Sequence, residues 1–249
     1  MPDKMIAEYA RKSQFVAAGV LGSIGATTMP IEPAVSNAGI FKVEEVLHGP
    51  KELRGFNGRE ITVLFNDPAS VRAGESSVLF ATSWQYGQSL AVLEVGRMDD
   101  KERVTMRKEI DAAYEALADE RLAQRIALAQ LVIVGKVTKT NPTPEDIRKR
   151  MPISEHAPDW WEAVIARKSV EKGRHEGATI TILFPNSVDV AWSQSPKFKP
   201  GQEGVWILQR DQQERGWPIM RVPGFTALDA LDFQPPSQIA HIRSLIKRP

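Results

Sequence analysis

The chain has 249 residues, 42% of them apolar and 25% charged, with a formal net charge of +1. That is enough apolar material for one large core or two ordinary ones, and the near-neutral charge argues against a strongly basic nucleic-acid footprint and against an acidic tail. No cysteine is present, which excludes disulfides and thiolate zinc sites.

Residues 2–13 read as a short helix with Met5, Ile6, Tyr9 and Ala10 on one face. Residues 15–20 are the first strand, and residues 21–38, rich in Gly, Thr, Pro and Ser, a loop. Strands follow at 39–47, 59–65, 77–82 and 90–95, with Asn66-Asp67-Pro68 breaking the third of the five. The period then lengthens from 2 toward 3.6. Met106, Ile110, Ala113 and Leu117 share a helix face, and Asp119 is placed to cap a second helical piece with Leu122 and Ile126. Residues 101–129 are therefore one kinked helix or two. Residues 131–137 are a buried strand opening the second half.

The second half repeats the first. Residues 15–19 align with 131–135 at an offset of 116, and Val46 and Gly49 with Val170 and Gly173 at 124. Residues 61–65 align with 180–184 at 119, and Gly74 and 78–80 with Gly201 and 205–207 at 127. Four apolar blocks in one order, with equivalent glycines, predict an internal duplication. A fifth strand of the second half is expected at 218–222, and a terminal helix at 237–246 capped by Ser237.

Each half then holds about five short strands and a helix, a set that closes most economically into an OB-type barrel. The expected fold is mainly β with flanking helices: two tandem five-stranded OB-like barrels joined by a helical segment. Residues 1–129 would form the first domain, with its N-terminal helix and closing helix. Residues 130–249 would form the second, with long loops and a C-terminal helix. The pattern (Leu-Val-Ile-Val-Gly-x-Val, a strand ending Val-x-x-Gly, Ile-Thr-Val/Ile-Leu-Phe, then a Gly-led apolar strand) resembles the netrin-like or TIMP-like modules, OB-type barrels with helices alongside. TIMP proteins inhibit metalloproteinases through an N-terminal cysteine. This chain has no cysteine, so the resemblance implies a fold and carries over no functional residue.

No chemistry stands out. His48, His156, His175 and His241 are too far apart in sequence for a helix-borne metal pair, and His175-Glu176 lacks a second histidine. Gly19-x-x-Gly22-x-x-Gly25 lacks the Lys-Ser/Thr of a phosphate loop and reads as a flexible loop. Glu44 and Glu45, adjacent in a strand, should point to opposite faces. No catalytic residue, metal site or cofactor is expected, and the chain is read as not an enzyme.

The informative differences between halves are the second half's longer loops, at 138–159 and 185–200. Thr143-Pro144-Glu145-Asp146 is a good helix start, with Thr143 as cap, and the basic run Arg148-Lys149-Arg150 follows in the same short helix. Trp160, Trp161 and Trp192 lie beside these loops. Trp and Arg are favoured protein-binding anchors. The expectation is a non-enzymatic protein-interaction or scaffold (adaptor) protein, its binding residues Arg148, Arg150, Trp160, Trp161 and Trp192. Its partner is another protein, with the chain acting alone or as a subunit of an assembly. The alternative is a single-stranded nucleic-acid-binding OB-fold protein, because basic residues interleaved with aromatics also suit that task. The expected location is cytoplasmic. Export is the alternative if residues 1–26, basic and then apolar, act as a signal. No run reaches the roughly 18 to 20 apolar residues of a membrane-spanning helix.

Overall fold

The computed structural model describes residues 2–29, 34–86, 89–149, 157–189, 192–210 and 224–247. The chain divides into two compact units, residues 1–118 and 119–249.

The first unit opens with α1 (Pro2–Lys12). Its strands are β1 (Phe15–Ile24), β2 (Ala38–His48), β3 (Glu60–Leu64), β4 (Ser76–Tyr86) and β5 (Leu90–Asp99). They close into a barrel in the order β1-β2-β3-β5-β4, with every neighbour pair antiparallel except β3 and β5. Its interior is filled by alternate residues such as Phe15, Ala17, Phe41, Ile61, Val63, Leu79 and Val92. β1 runs on to Ile24, so residues 21–24 belong to a strand where a loop was expected. Gly19 and Gly22 therefore lie within the sheet.

α2 (Arg103–Leu128) is one continuous helix after the short 3-10 turn Asp100–Glu102. No cap interrupts it at Asp119, because apolar residues keep the helical spacing through Leu122 and Ile126. In the first unit Met106 and Ile110 pack with Ile6 of α1 against Val16, Ala18, Val78 and Phe80, on the outside of β1 and β4.

The second unit has β6 (Leu131–Pro142), α3 (Glu145–Arg148), β7 (Trp160–Lys172), β8 (Thr179–Pro185), β9 (Glu203–Leu208), β10 (Phe225–Thr226), β11 (Phe233–Gln234) and α4 (Ile239–Ile246). The sheet order is β10-β8-β7-β6-β9-β11. Its outer face at β6 and β9 is covered by Leu122 and Ile126 of α2 and Ile242 and Leu245 of α4. Full burial of one such side chain contributes about 1.5–3 kcal/mol.

The two sheets share one register. Val16 faces Phe80 in the first, and Val132 faces Ile207 in the second. Ala17 pairs with Val46, and Ile133 with Val170. Register shifts fall between Val16/Ala17, Ala18/Gly19 and Leu21/Ser23 in β1, and between Val132/Ile133, Val134/Gly135 and Val137/Lys139 in β6. Each shift recurs at the offset of 116 read from the sequence. Such bulges bend and twist a strand, which is how a sheet turns toward closure.

The matched glycines have matched causes. A Cβ on Gly19 would lie 2.1 Å from the Lys42 carbonyl oxygen, and one on Gly135 would lie 2.6 Å from that of Ala166. Gly74 and Gly201 lead into β4 and β9 at φ of +84° and +89°. Gly74 N–H donates to Leu21 O at 2.7 Å, and Gly201 N–H to Val137 O at 2.8 Å.

The fifth strand is where the units differ. In the first unit β5 pairs parallel with β3 and then antiparallel with β4. In the second, the two tasks are split: β10 pairs parallel with β8, and β11 antiparallel with β9. The sheet still curls far enough for Gln209, just past β9, to bridge Thr226 of β10. The expected strand at 218–222 lies outside the described residues.

Between β10 and β11 sits the 3-10 turn Ala230–Asp232, closed by a capping box from Asp229. Asp232 is fully buried. It takes Arg125 of α2 in two bonds of 2.6 and 2.8 Å, plus the N–H groups of Leu228 and Asp229. Burial pushes its carboxyl above the ordinary range, while Arg125 and the two N–H groups pull the other way. Removing one partner of such a pair strands a buried charge, at a cost of roughly 3–5 kcal/mol.

Two further expected caps are absent. α4 follows the 3-10 turn Pro236–Gln238, and no side chain caps it. α3 begins at Glu145 without a side-chain cap, and the buried Thr143 hydroxyl has no hydrogen-bond partner among the described residues. The short connection draws Thr143 into the sheet instead, its N–H donating to Trp160 O at 2.9 Å.

Candidate functional site

The long loops of the second unit are built on a small core of their own. Trp160 of β7 and Leu183 of β8 point away from the main interior. Leu228 is buried with them, and Ile147 of α3 and Trp192 pack alongside. The Trp160 and Trp192 rings meet edge to face at 5.8 Å. Ser195 Oγ donates to the Leu228 carbonyl at 2.5 Å, and Lys197 Nζ to that of Trp192 at 3.0 Å. Burial lowers the Lys197 pKa.

The residues singled out from sequence take different places. Trp160 is only 4% exposed and anchors the loops from inside. Trp161 packs partly against the main interior, and its Nε1–H donates to Asp159 at 3.0 Å. Trp192 is half-buried over Trp160, and Arg148 is exposed at the end of α3. Trp160, Trp192 and α3 are thus brought together, with Arg148 at their rim. Arg150 and His156 lie outside the described residues. α3 ends at Arg148, with Lys149 as the residue just past it.

Sequence reading missed Glu162. It lies on the same side of β7 as Trp160, where burial and the neighbouring Asp146 raise its pKa. The outer β7–β8 face is the surface an OB-type nucleic-acid binder uses. Here it carries Glu162, with Asp146 of α3 close enough to act on it, and is partly covered by Ile147, Trp192 and Leu228. The corresponding face of the first unit is covered too. Thr62 of β3 accepts the Thr28 N–H at 2.8 Å and meets the Thr28 hydroxyl at 2.9 Å, which in turn meets Ser89 at 2.7 Å.

Glu44 and Glu45 do not point to opposite faces. A register shift leaves Glu44 as the extra residue of β2, so both reach α2: Glu44 binds Arg103 at 2.6 Å and Glu45 binds Arg107 at 2.6 Å. A second carboxylate-rich surface, at Glu75, Asp99 and Asp100, is neutralised locally by Lys101 on Asp99 and Arg103 on Asp100. Among the described residues no three His, Asp or Glu side chains cluster as a metal site would need. His175 Nε2–H donates to the Thr179 carbonyl at 2.9 Å, and His241 pairs with Asp119 at 2.8 Å.

The strand order and register define the class: a mainly β protein of two OB-like units with flanking helices. No protein family matches the chain, and no curated protein matches it.

Proposed function

We propose that the chain is a non-enzymatic protein-interaction or scaffold module, and that its recognition surface is the loop cluster of the second unit. The observation that carries this reading is the loops' private core around Trp160 and Trp192. Loops already packed and hydrogen-bonded lose little further freedom on binding, so more of the contact energy appears as affinity. Arg148 stands exposed at the edge of that platform, and Trp161 offers its half-buried ring at the start of β7.

The netrin-like or TIMP-like resemblance fits the same reading, since helices lie against the outside of each sheet as in those modules. Among the described residues no helix is long and apolar enough to cross a membrane. A cytoplasmic location is part of the proposal. Residues 15–24, weighed as part of an export signal, form β1, held on one side by β2 and on the other by β4.

The test is co-purification of the full chain with its partner, followed by affinity measurement on variants. Arg148→Glu and Trp192→Ala should each weaken the complex about tenfold or more, the loss expected of an anchor. Unchanged binding by both variants overturns the reading. Binding to a single-stranded homopolymer that weakens steeply with salt would replace it with the nucleic-acid alternative.

A further inference from the structure

In the first unit a pocket of about 390 Å³ opens where β2 ends, between the 3-10 turn Lys51–Phe56 and α2. That volume lies at the small end of ligand sites. One wall is the His48 ring, stacked on Tyr114 with centroids 3.4 Å apart and planes 5° from parallel. Tyr114 is held from behind by Ser13, hydroxyl to hydroxyl at 2.8 Å. Burial lowers the His48 pKa, with Asp111 acting to raise it and Arg54 to lower it further. The ring is therefore a neutral, backed platform near pH 7.

Two opposite charges line the same pocket, Arg54 from the turn and Asp111 from α2. Among the described residues neither side chain has an ion pair or hydrogen-bond partner. The other charge there, Arg107, is engaged by Glu45. Asn57 Oδ1 accepts the Val46 N–H at 2.8 Å, which fixes the amide and leaves its Nδ2 as a donor. Val46 and Leu47 supply apolar wall.

We propose that this pocket binds a small zwitterion of the free α-amino-acid class, its carboxylate met by Arg54 and Asn57 and its ammonium by Asp111. A ligand of one sign would be attracted by one group and repelled by the other. An apolar ligand would desolvate both without replacing their water, which is costly. A zwitterion matches each charge and enters without net charge.

The experiment is saturation-transfer NMR on the full chain with a mixture of free amino acids, followed by titration of the best binder while observing the His48 ring resonance. At least one amino acid should receive saturation, and the His48 resonance should move as it binds. Arg54→Gln and Asp111→Asn should each weaken binding about tenfold, the loss of one charge-assisted contact. Both side chains are exposed, so an unchanged melting temperature is expected to accompany the loss. Acetate alone and methylammonium alone should bind at least about tenfold more weakly than the whole zwitterion. No saturation transfer to any amino acid, binding indifferent to both substitutions, or acetate binding as well as the zwitterion overturns the proposal.

Discussion

At the scale of single residues, the paired glycines show how one residue type serves two distinct needs. Gly135 sits where the neighbouring strand comes too close for a side chain, with the Ala166 carbonyl 2.6 Å from any Cβ. Gly201 has open space around it but a φ of +89°. Gly201→Ala should therefore cost only backbone strain, about 1–2 kcal/mol. Gly135→Ala must displace a backbone carbonyl in a packed sheet and should cost more, about 3 kcal/mol or above. Urea unfolding of the two variants checks this, and equal losses would contradict the assignment. The glycines were legible in the sequence as matched positions. Their separate reasons were not, because a neighbouring strand's carbonyl and a φ angle have no sequence signature.

At the scale of elements, α4 shows how a helix is fastened to a sheet. Its apolar face packs Ile242 and Leu245 over β6 and β9, and Arg243 reaches Glu171 of β7 through two bonds of 2.8 and 2.9 Å. Arg243, and then Ser169, hold the Glu171 carboxyl below its ordinary 4.5. A depressed carboxyl adds stability above its unfolded pKa and loses it as pH falls through the folded one. Arg243 is 51% exposed, so solvent screening keeps the contribution small. Glu171→Gln should be less stable than the parent at pH 7 and equal to it near pH 2. A difference that persists in acid would show that the side chain acts through packing.

The same scale explains which elements were readable. Long strands announced themselves by alternation, and α2 by its helical spacing. The divided fifth strand did not, because two-residue strands have no period. The opposite-face expectation for Glu44 and Glu45 failed because a bulge breaks the alternation that the argument relied on.

At the scale of the molecule, each unit has an interior made from its own residues, one around Phe15, Ile61 and Leu79, the other around Ile133, Ile182 and Trp206. Leu79→Ala, at a fully buried site, should cost the first unit about 2–5 kcal/mol. Hydrogen exchange should then show amides of β1–β5 losing protection while those of β6–β9 keep theirs. Loss of protection in both units together would mean that they unfold as one.

The sequence alone determined the repeated strand order and its offsets, because burial of alternate side chains imposes a period that short-range reading detects. It also determined that loops distinguish the second unit. Tertiary structure decided which tryptophan those loops are built on, where the fifth strand divides, and that His48, Arg54 and Asp111 line one pocket. Those outcomes bring together residues tens of positions apart, and only the folded chain sets such distances.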